Sequence, residues 1–344
     1  MSLLGILYGF AVTFRNFLYK KGILKSRILK NPVISVGNIT LGGTGKTPFV
    51  MFLAQIFKEA GYQPVVLSRG YKGKAESSIL LVSDGQTVFC QPEDCGDEPF
   101  LMARKLKGVP IVVGKDRYRA GRSIEDQYAK IIYILDDGYQ HLQLQRNLNI
   151  LILDGTDPFG GQKMVPDGRL REPLKAIERA DLIVVTRSHF PIDLDELEMN
   201  IRQKNKIVPV SYCYHDVVSI WDLRSGESFL PRDFIGRRVV AMAAIGNPGG
   251  FLRDLTHYQM RVVDRRLFPD HHDFHQSELD TALERLSKLR ADAIITTEKD
   301  AVRLEKLTFH PGQIFALEIE VKAENPGEYK TYLLNELEHL PKPH

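Results

Sequence analysis

A chain of 344 residues, 43% hydrophobic and 26% charged, can form two domains of about 100–200 residues with ordinary buried cores, which excludes a disordered, fibrous or disulfide-stapled mini-protein. Lys and Arg total 46 against 43 Asp and Glu, a net charge of +3, too balanced for a protein whose whole surface grips nucleic acid. The sum conceals a polarity: residues 1–58 hold eight basic side chains and no acidic one, whereas the remainder carries a net charge of −5.

That cationic front asks for an anionic partner near the N-terminus. Residues 1–14 carry no charge, and Leu3, Leu7, Phe10, Phe14 and Phe17 recur at helical spacing with Leu4, Ala11 and Leu18 beside them, predicting an amphipathic helix. The apolar run is shorter than the ~20 residues that span a bilayer, and Arg15 and Asn16 interrupt it, so a helix lying in the interface fits better. No Lys or Arg precedes the run and no small-residue cleavage site follows, which argues against a secretory signal. Arg15, Lys20, Lys21, Lys25, Arg27 and Lys30 come next; such a cluster suits an anionic membrane at about 1 kcal/mol per charge and keeps the rest of the chain cytoplasmic. The competing reading is a helix whose stripe packs on its own domain. Residues 1–30 are therefore expected to form a membrane-associating segment.

Val33–Val36, Val65–Ser68, Ile111–Val113, Ile131–Leu135, Leu148–Leu153 and Leu182–Val185 are short apolar runs without alternation, separated by helix-length stretches. They suit parallel strands covered on both faces, predicting an α/β layered domain over residues 31–206. Residues 207–231 read as extended strands and a hairpin about Arg224-Ser-Gly-Glu, a connector. Residues 232–344 alternate strand and helix again, with a helix over Ser277–Arg290, and form a second, smaller α/β unit. The cysteines Cys90, Cys95 and Cys213 are odd in number and lack zinc-type spacing, which fits a reducing compartment.

Pro32-Val-Ile-Ser-Val-Gly-Asn-Ile-Thr-Leu-Gly-Gly-Thr-Gly-Lys-Thr-Pro48 has the order strand, glycine loop, Lys-Thr, helix. Phosphates need closely approaching backbone N–H groups, which Gly42, Gly43 and Gly45 permit around Thr44. The helix N-terminus adds its dipole, Lys46 reaches the β/γ-phosphates, and Thr47 can ligate magnesium. Thr40 stands where the strict motif has glycine, so the loop is a variant P-loop. Ninety residues on, Lys130-Ile-Ile-Tyr-Ile-Leu-Asp-Asp-Gly138 is an apolar strand ending in Asp136 and Asp137, as a strand that places a carboxylate near the metal does. After Leu182–Val185, Thr186-Arg-Ser-His189 lacks the carboxylate of a guanine reader, which favours ATP.

Three further clusters are candidates for chemistry. Gly96-Asp97-Glu98-Pro99 opens a helix, so Asp97 can serve as a base and Glu98 as a magnesium partner, with helix capping as the alternative. Arg169 and Arg171 with Glu172, and more weakly Lys115-Asp116-Arg117, offer guanidinium groups suited to phosphate or to surface ion pairs. Phe268-Pro-Asp-His-His-Asp-Phe-His275 concentrates histidines and aspartates; a His oriented by a neighbouring Asp is favoured there over a zinc site.

Together, Val36-Gly-Asn-Ile-Thr-Leu-Gly-Gly-Thr-Gly-Lys-Thr-Pro48, Ser68-Arg-Gly-Tyr71, Gly96-Asp-Glu-Pro99, Val113-Gly-Lys-Asp-Arg117, Leu135-Asp-Asp-Gly-Tyr-Gln-His141, Leu170-Arg-Glu-Pro173, Ile245-Gly-Asn-Pro248, Phe268-Pro-Asp-His-His272 and Thr297-Glu-Lys-Asp-Ala-Val302 resemble the tetraacyldisaccharide 4'-kinase (lipid A 4'-kinase) family, from about residue 3 to residue 304. Thr in place of the first P-loop glycine is itself that family's pattern. The resemblance implies transfer of the ATP γ-phosphoryl group to the 4'-hydroxyl of an anionic, tetraacylated glucosamine disaccharide 1-phosphate at the cytoplasmic face of the bacterial inner membrane, by a peripheral or monotopic protein. It implies a P-loop NTPase-type α/β/α domain and a second, smaller α/β/α domain joined by a β hinge, with the site in the cleft between them. Carried over, Asp97 is the base working with His271, which Asp270 orients. Lys46 and Thr47 take phosphates and magnesium; Asp136, Asp137 and Glu172 join the metal shell; Arg117 and Arg171 steady phosphates. Tyr139 stands where Phe is more usual and Leu142 where a basic residue is common. The chain is expected to act as a monomer without nucleic acid. The alternatives are a P-loop ATPase acting as a switch on a protein partner and a membrane adaptor without catalysis.

Overall fold

The computed structural model describes residues 2–74, 78–190 and 192–338, and the chain divides into two compact units, residues 1–214 with 321–344, and residues 215–320. In the first unit the helix α1 (Leu3–Lys20) precedes β1 (Val33–Gly37), α2 (Lys46–Glu59), β2 (Gln63–Ser68), β3 (Leu80–Ser83), α3 (Pro92–Cys95), α4 (Asp97–Lys105), β4 (Ile111–Val113), α5 (Arg117–Arg122), β5 (Ile131–Leu135), β6 (Leu148–Asp154), β7 (Leu182–Thr186), α6 (Leu194–Arg202) and the start of β8 (Val210–Asp222). The strand order is β8-β7-β6-β1-β5-β2-β4-β3. Every pairing is parallel except that of β3 with β4.

All six predicted apolar runs are strands, buried along nearly their whole length because helices cover both faces. The edge strand β3 has no clear mark in the sequence: Leu80 and Leu81 are only half-buried, and an antiparallel edge has no crossover helix to mark it. One face packs Ile34, Val36 and Ile134 against Phe49, Leu53 and Phe57 of α2 and Met102 of α4. The other packs Val33, Leu67 and Tyr133 with Ala120 of α5, and Leu151, Leu153 and Ile183 with Leu197 of α6. Because the strands are parallel, the loops after β1, β2, β5, β6 and β7 all leave the sheet's carboxyl edge, where open α/β sheets bind ligands.

The second unit holds the rest of β8, β9 (Ser228–Phe229), β10 (Arg238–Ala243), α7 (Pro248–His257), β11 (Arg261–Leu267), α8 (Gln276–Lys288), β12 (Ala293–Thr297), α9 (Glu298–Leu304) and β13 (Ile314–Ala323). The order β11-β10-β12-β13 is parallel throughout. The expected hairpin forms where β8 and β9 pair about Arg224. The chain then returns to the first unit from Val321, ending in α10 (Pro326–Glu338), whereas its texture assigned residues 232–344 to the second; residues 339–344 of that span lie outside the described residues. The physical reason is apolar docking: Tyr329 is buried with ring centroids 5.9 Å from Phe52 and 6.1 Å from Phe49, and Leu333 and Leu337 join the same core.

Helix α1 does not pack its apolar stripe on its own domain. Gly5 and Gly9 face the domain, where a Cβ on Gly5 would stand 2.8 Å from Asp167 Oδ2, while Leu3, Leu7, Phe10, Phe14 and Phe17 point outward, Leu3 72% and Phe10 70% exposed. Ile23 and Ile28 extend this apolar surface. Among the described residues no helix is long and apolar enough to cross a membrane. The basic cluster is less free than the sequence suggests: Arg27 pairs with Asp116 at 2.8 Å, Lys30 with Asp126 at 3.2 Å, and Arg15 donates to the Gln140 carbonyl. Lys20, Lys21 and Lys25 stay exposed. The three cysteines are buried free thiols.

Candidate active site

The phosphate loop leaves β1 at Asn38 and closes at Gly45, whose φ of 82° lets the chain enter α2 at Lys46. Thr40 is explained by its surroundings: it is buried, forms a bridge with Leu170, and a Cβ on Gly160 would lie 3.0 Å from its methyl group. The segment 169–171 clamps the loop from one side, with Leu41 N–H donating to Arg169 O at 2.6 Å and Arg171 N–H to Ile39 O at 2.7 Å. From the other side Thr186 Oγ1 donates to Thr44 O at 2.9 Å and Arg187 to Gly43 O at 3.1 Å, Arg187 being paired with buried Asp154 at 2.5 Å. Gly42, Gly43, Thr44 and Gly45 are thus held on rigid elements, with Thr47 one residue into α2.

Lys46 Nζ is 3.4 Å from Asp137 Oδ1 and donates to Asn38 Oδ1 at 3.2 Å, and Asn38 in turn donates to Thr44 Oγ1 at 3.0 Å. Arg171 contacts both Asp137 oxygens at 2.9 and 3.1 Å. Burial acts against the Asp137 charge, but Lys46 and Arg171 outweigh it and hold the carboxyl below the usual range. Its neighbour behaves oppositely. Burial, then the charges of Glu98 and Asp137, push Asp136 up to about 7, although Ser68 Oγ donates to its Oδ2 at 2.9 Å. Its Oδ1 is buried with no hydrogen-bond partner. An unpaired carboxylate oxygen beside two more carboxylates and a P-loop is a donor set that fits magnesium. Among the described residues no three His, Cys, Asp or Glu side chains form a metal cluster by themselves.

Asp97 and Glu98 occupy the first turn of α4. Gly96 enters it at φ 89°, ψ 156°, a glycine-only conformation, and a Cβ there would meet Tyr71 O at 2.7 Å. The Ser68–Tyr71 loop therefore sets where this acidic turn sits.

The remaining expected residues have other partners. Glu172 is fully buried, and its oxygens take bonds from Arg179 at 2.8 and 2.9 Å, Gln140 at 2.9 Å and Asn16 at 2.7 Å. Burial opposes its charge, but these donors, Arg179 first, hold its carboxyl low. Arg117 is buried and donates to Lys115 O at 3.2 Å; its charge falls on His141, which burial, Arg117 and Arg146 push down to about 3.

In the second unit His271 sits after β11 in the left-handed region at φ 59°, its N–H on Ala244 O. Its Nε2 lies 3.1 Å from Lys299 Nζ and its Nδ1 3.2 Å from an Arg303 nitrogen. Asp270 is 3.9 Å from Nε2 and meets Lys299 at 3.1 Å, so it reaches the imidazole through Lys299. Lys299 and Arg303 went unassigned in the sequence, although Thr297-Glu-Lys-Asp-Ala-Val302 stood out. Asn38, Gln140 and Arg187 carry no signal in the sequence beyond proximity to a motif.

The sequence profile of the family described as Tetraacyldisaccharide-1-P 4'-kinase matches residues 1–338. The tetraacyldisaccharide 4'-kinase of Pelobacter propionicus is 41% identical over 303 residues, 87% of this chain and 81% of that protein. That of Syntrophus aciditrophicus is 36% identical over 341 residues, 96% of this chain and 91% of that protein. The crystal structure of LpxK from Aquifex aeolicus in complex with ATP is 33% identical with a TM-score of 0.74, covering 97% of each chain.

Proposed function

Because the chain belongs to the tetraacyldisaccharide-1-P 4'-kinase family, we propose the following account of how its own residues carry out an ATP-dependent kinase reaction on the 4'-hydroxyl of a tetraacyldisaccharide 1-phosphate, a step of lipid A biosynthesis. The observation that carries it is the convergence of Lys46, Asp136, Asp137 and Arg171 on a phosphate loop at the carboxyl edge of the sheet. A switch on a protein partner, or an adaptor without catalysis, is not favoured by that family membership.

The loop N–H groups of Gly42, Gly43, Thr44 and Gly45 receive the ATP phosphates, and Lys46 and Arg171 neutralise their charge. Thr47, Asp136, Asp137 and Glu98 would hold magnesium, which when bound supplies charge neutralisation at the phosphate oxygens. Asp97 takes the proton of the acceptor hydroxyl as that oxygen forms its bond to the γ-phosphorus; the bond from the γ-phosphorus to the β,γ-bridging oxygen breaks, and ADP leaves with that electron pair. No nucleophile stands out beside the loop, so the transfer is direct and in-line. His271, held by Lys299 and Arg303, is assigned the role of histidine partner to the base Asp97. Glu172 acts through Gln140 and Arg179, since its oxygens are already bonded. Arg117 is assigned to the phosphates with Lys46 and Arg171.

The outward apolar face of α1, with Lys20, Lys21 and Lys25, supports peripheral attachment to an anionic membrane; the cytoplasmic face and a monomeric state are proposed with it. The test is mass spectrometry of the disaccharide acceptor after incubation with ATP and magnesium. Parental protein adds one phosphate, while Asp97→Ala lowers turnover by about 10²- to 10⁴-fold and leaves ATP binding intact. Near-parental turnover of that variant would remove Asp97 from the base role.

A further inference from the structure

Helix α1 turns its apolar residues outward and its glycines inward, so its seat on the first unit depends on a few polar bonds. Ser2 N–H donates to Asp167, Tyr8 Oη to Arg171 O at 3.1 Å, Arg15 to Gln140 O at 3.2 Å, and Asn16 Nδ2 to Glu172 Oε2 at 2.7 Å. Three of these end on residues 140, 171 and 172, beside the phosphate site. The Asn16 bond goes furthest. Its acceptor is a fully buried carboxylate, and the opposite oxygen of that carboxylate holds Gln140 Nε2 at 2.9 Å. The same Gln140 amide nitrogen donates to Asn38 O at 2.8 Å, and the Asn38 side chain holds both Lys46 and Thr44.

We propose that Asn16 is a positioning residue through which α1 sets the geometry of the phosphate loop, by the hydrogen-bonded series Asn16, Glu172, Gln140, Asn38, Lys46. The helix is then part of the nucleotide site as well as a surface for lipid. Lipid contact uses only the outward face; the Asn16 amide points the other way, to a buried carboxylate whose other bonds reach the P-loop. When the amide is removed, Glu172 keeps Arg179 and Gln140 but loses the donor that balances them, and Gln140 is drawn from Asn38 O. The consequence falls on ATP whether or not a membrane is present. Because hydrogen bonds to charged groups are among the strongest in proteins, the shift in ATP affinity is large enough to measure.

The proposal rests on the kinase reading only through ATP, so the probe is ATP with magnesium, titrated calorimetrically into the full chain in detergent micelles without lipid. Asn16→Leu is expected to weaken ATP binding by about tenfold and to lower kcat at saturating acceptor. ATP affinity within about twofold of the parent, a change no larger than that of an ordinary exposed substitution, overturns the proposal. If Asn16→Leu does not fold, the isosteric Asn16→Asp decides. At pH 8 its carboxylate cannot donate to Glu172 and repels it, so its ATP affinity is expected to fall by about tenfold or more. ATP affinity of this variant within about twofold of the parent at pH 8 overturns the proposal, because its side chain then cannot make the Asn16 bond. Should the parental chain bind ATP, lose affinity on Asn16→Leu and yet phosphorylate no disaccharide, the functional reading fails and the positioning role stands.

Discussion

Asp136 is a carboxylate that the fold keeps at a cost, and Asp136→Asn measures that cost. Burial and the charges of Glu98 and Asp137 raise its pKa from 3.8 to about 7, and a rise of that size corresponds to roughly 4 kcal/mol between the protonated and ionised forms. The folded chain binds this proton more tightly than the unfolded chain does. Between about pH 4 and pH 7 the native state therefore holds the extra proton, and stability falls as pH rises through that window. Above pH 7 the full penalty applies. Asn has the same shape, can accept the Ser68 bond and carries no charge, so the variant is expected to escape the penalty. Urea unfolding at pH 5 and pH 8 reads it directly. Titrating groups remote from the site cancel in the difference, whereas Glu98, Asp137 and Lys46 interact with Asp136 and are part of what is read. Relative to the parent, Asp136→Asn should gain about 2–4 kcal/mol on going from pH 5 to pH 8, while losing magnesium-dependent turnover, a trade of stability for activity. A stability difference that is the same at both pH values would refute the reasoning, because it would mean that the carboxylate is not strained by its neighbours.

Two further outcomes follow from the site's supports. Arg187→Met should cost about 3–5 kcal/mol in urea unfolding, since it removes the cation 2.5 Å from the buried Asp154 carboxylate, and ATP should bind more weakly as Gly43 O loses its Arg187 donor; a loss under about 1 kcal/mol would show the pair to be dispensable. Gly96→Ala forces a Cβ to within 2.7 Å of Tyr71 O at a positive φ, so kcat should fall by shifting Asp97 while ATP affinity holds, and an unchanged kcat would free Asp97 from that turn.

Most of the first unit was legible because local chemistry marks it. Strands buried on both faces must be apolar throughout, and a backbone that cradles phosphate must be rich in glycine, so β1, β5 and the loop from Asn38 to Thr47 stand out in a single sequence. Asp97, Asp136, Asp137 and His271 stood out for the same reason, as acid or histidine clusters at the ends of elements. The sequence by itself also determined that α1 is amphipathic and that its neighbours are cationic. It did not determine which way the apolar stripe faces, because a helix that packs on its own domain and one that meets a lipid surface share one periodicity. The tertiary structure decides this through Gly5 and Gly9, which bring the helix backbone against Asp167 and Met164 and leave the phenylalanines outside. It likewise commits Glu172 to Arg179, Gln140 and Asn16, and returns α10 to the first unit through Tyr329. Such partners lie 7 to 280 residues apart, and hydrogen bonding and packing across those separations depend on how strands are ordered in the sheet, which no local pattern encodes.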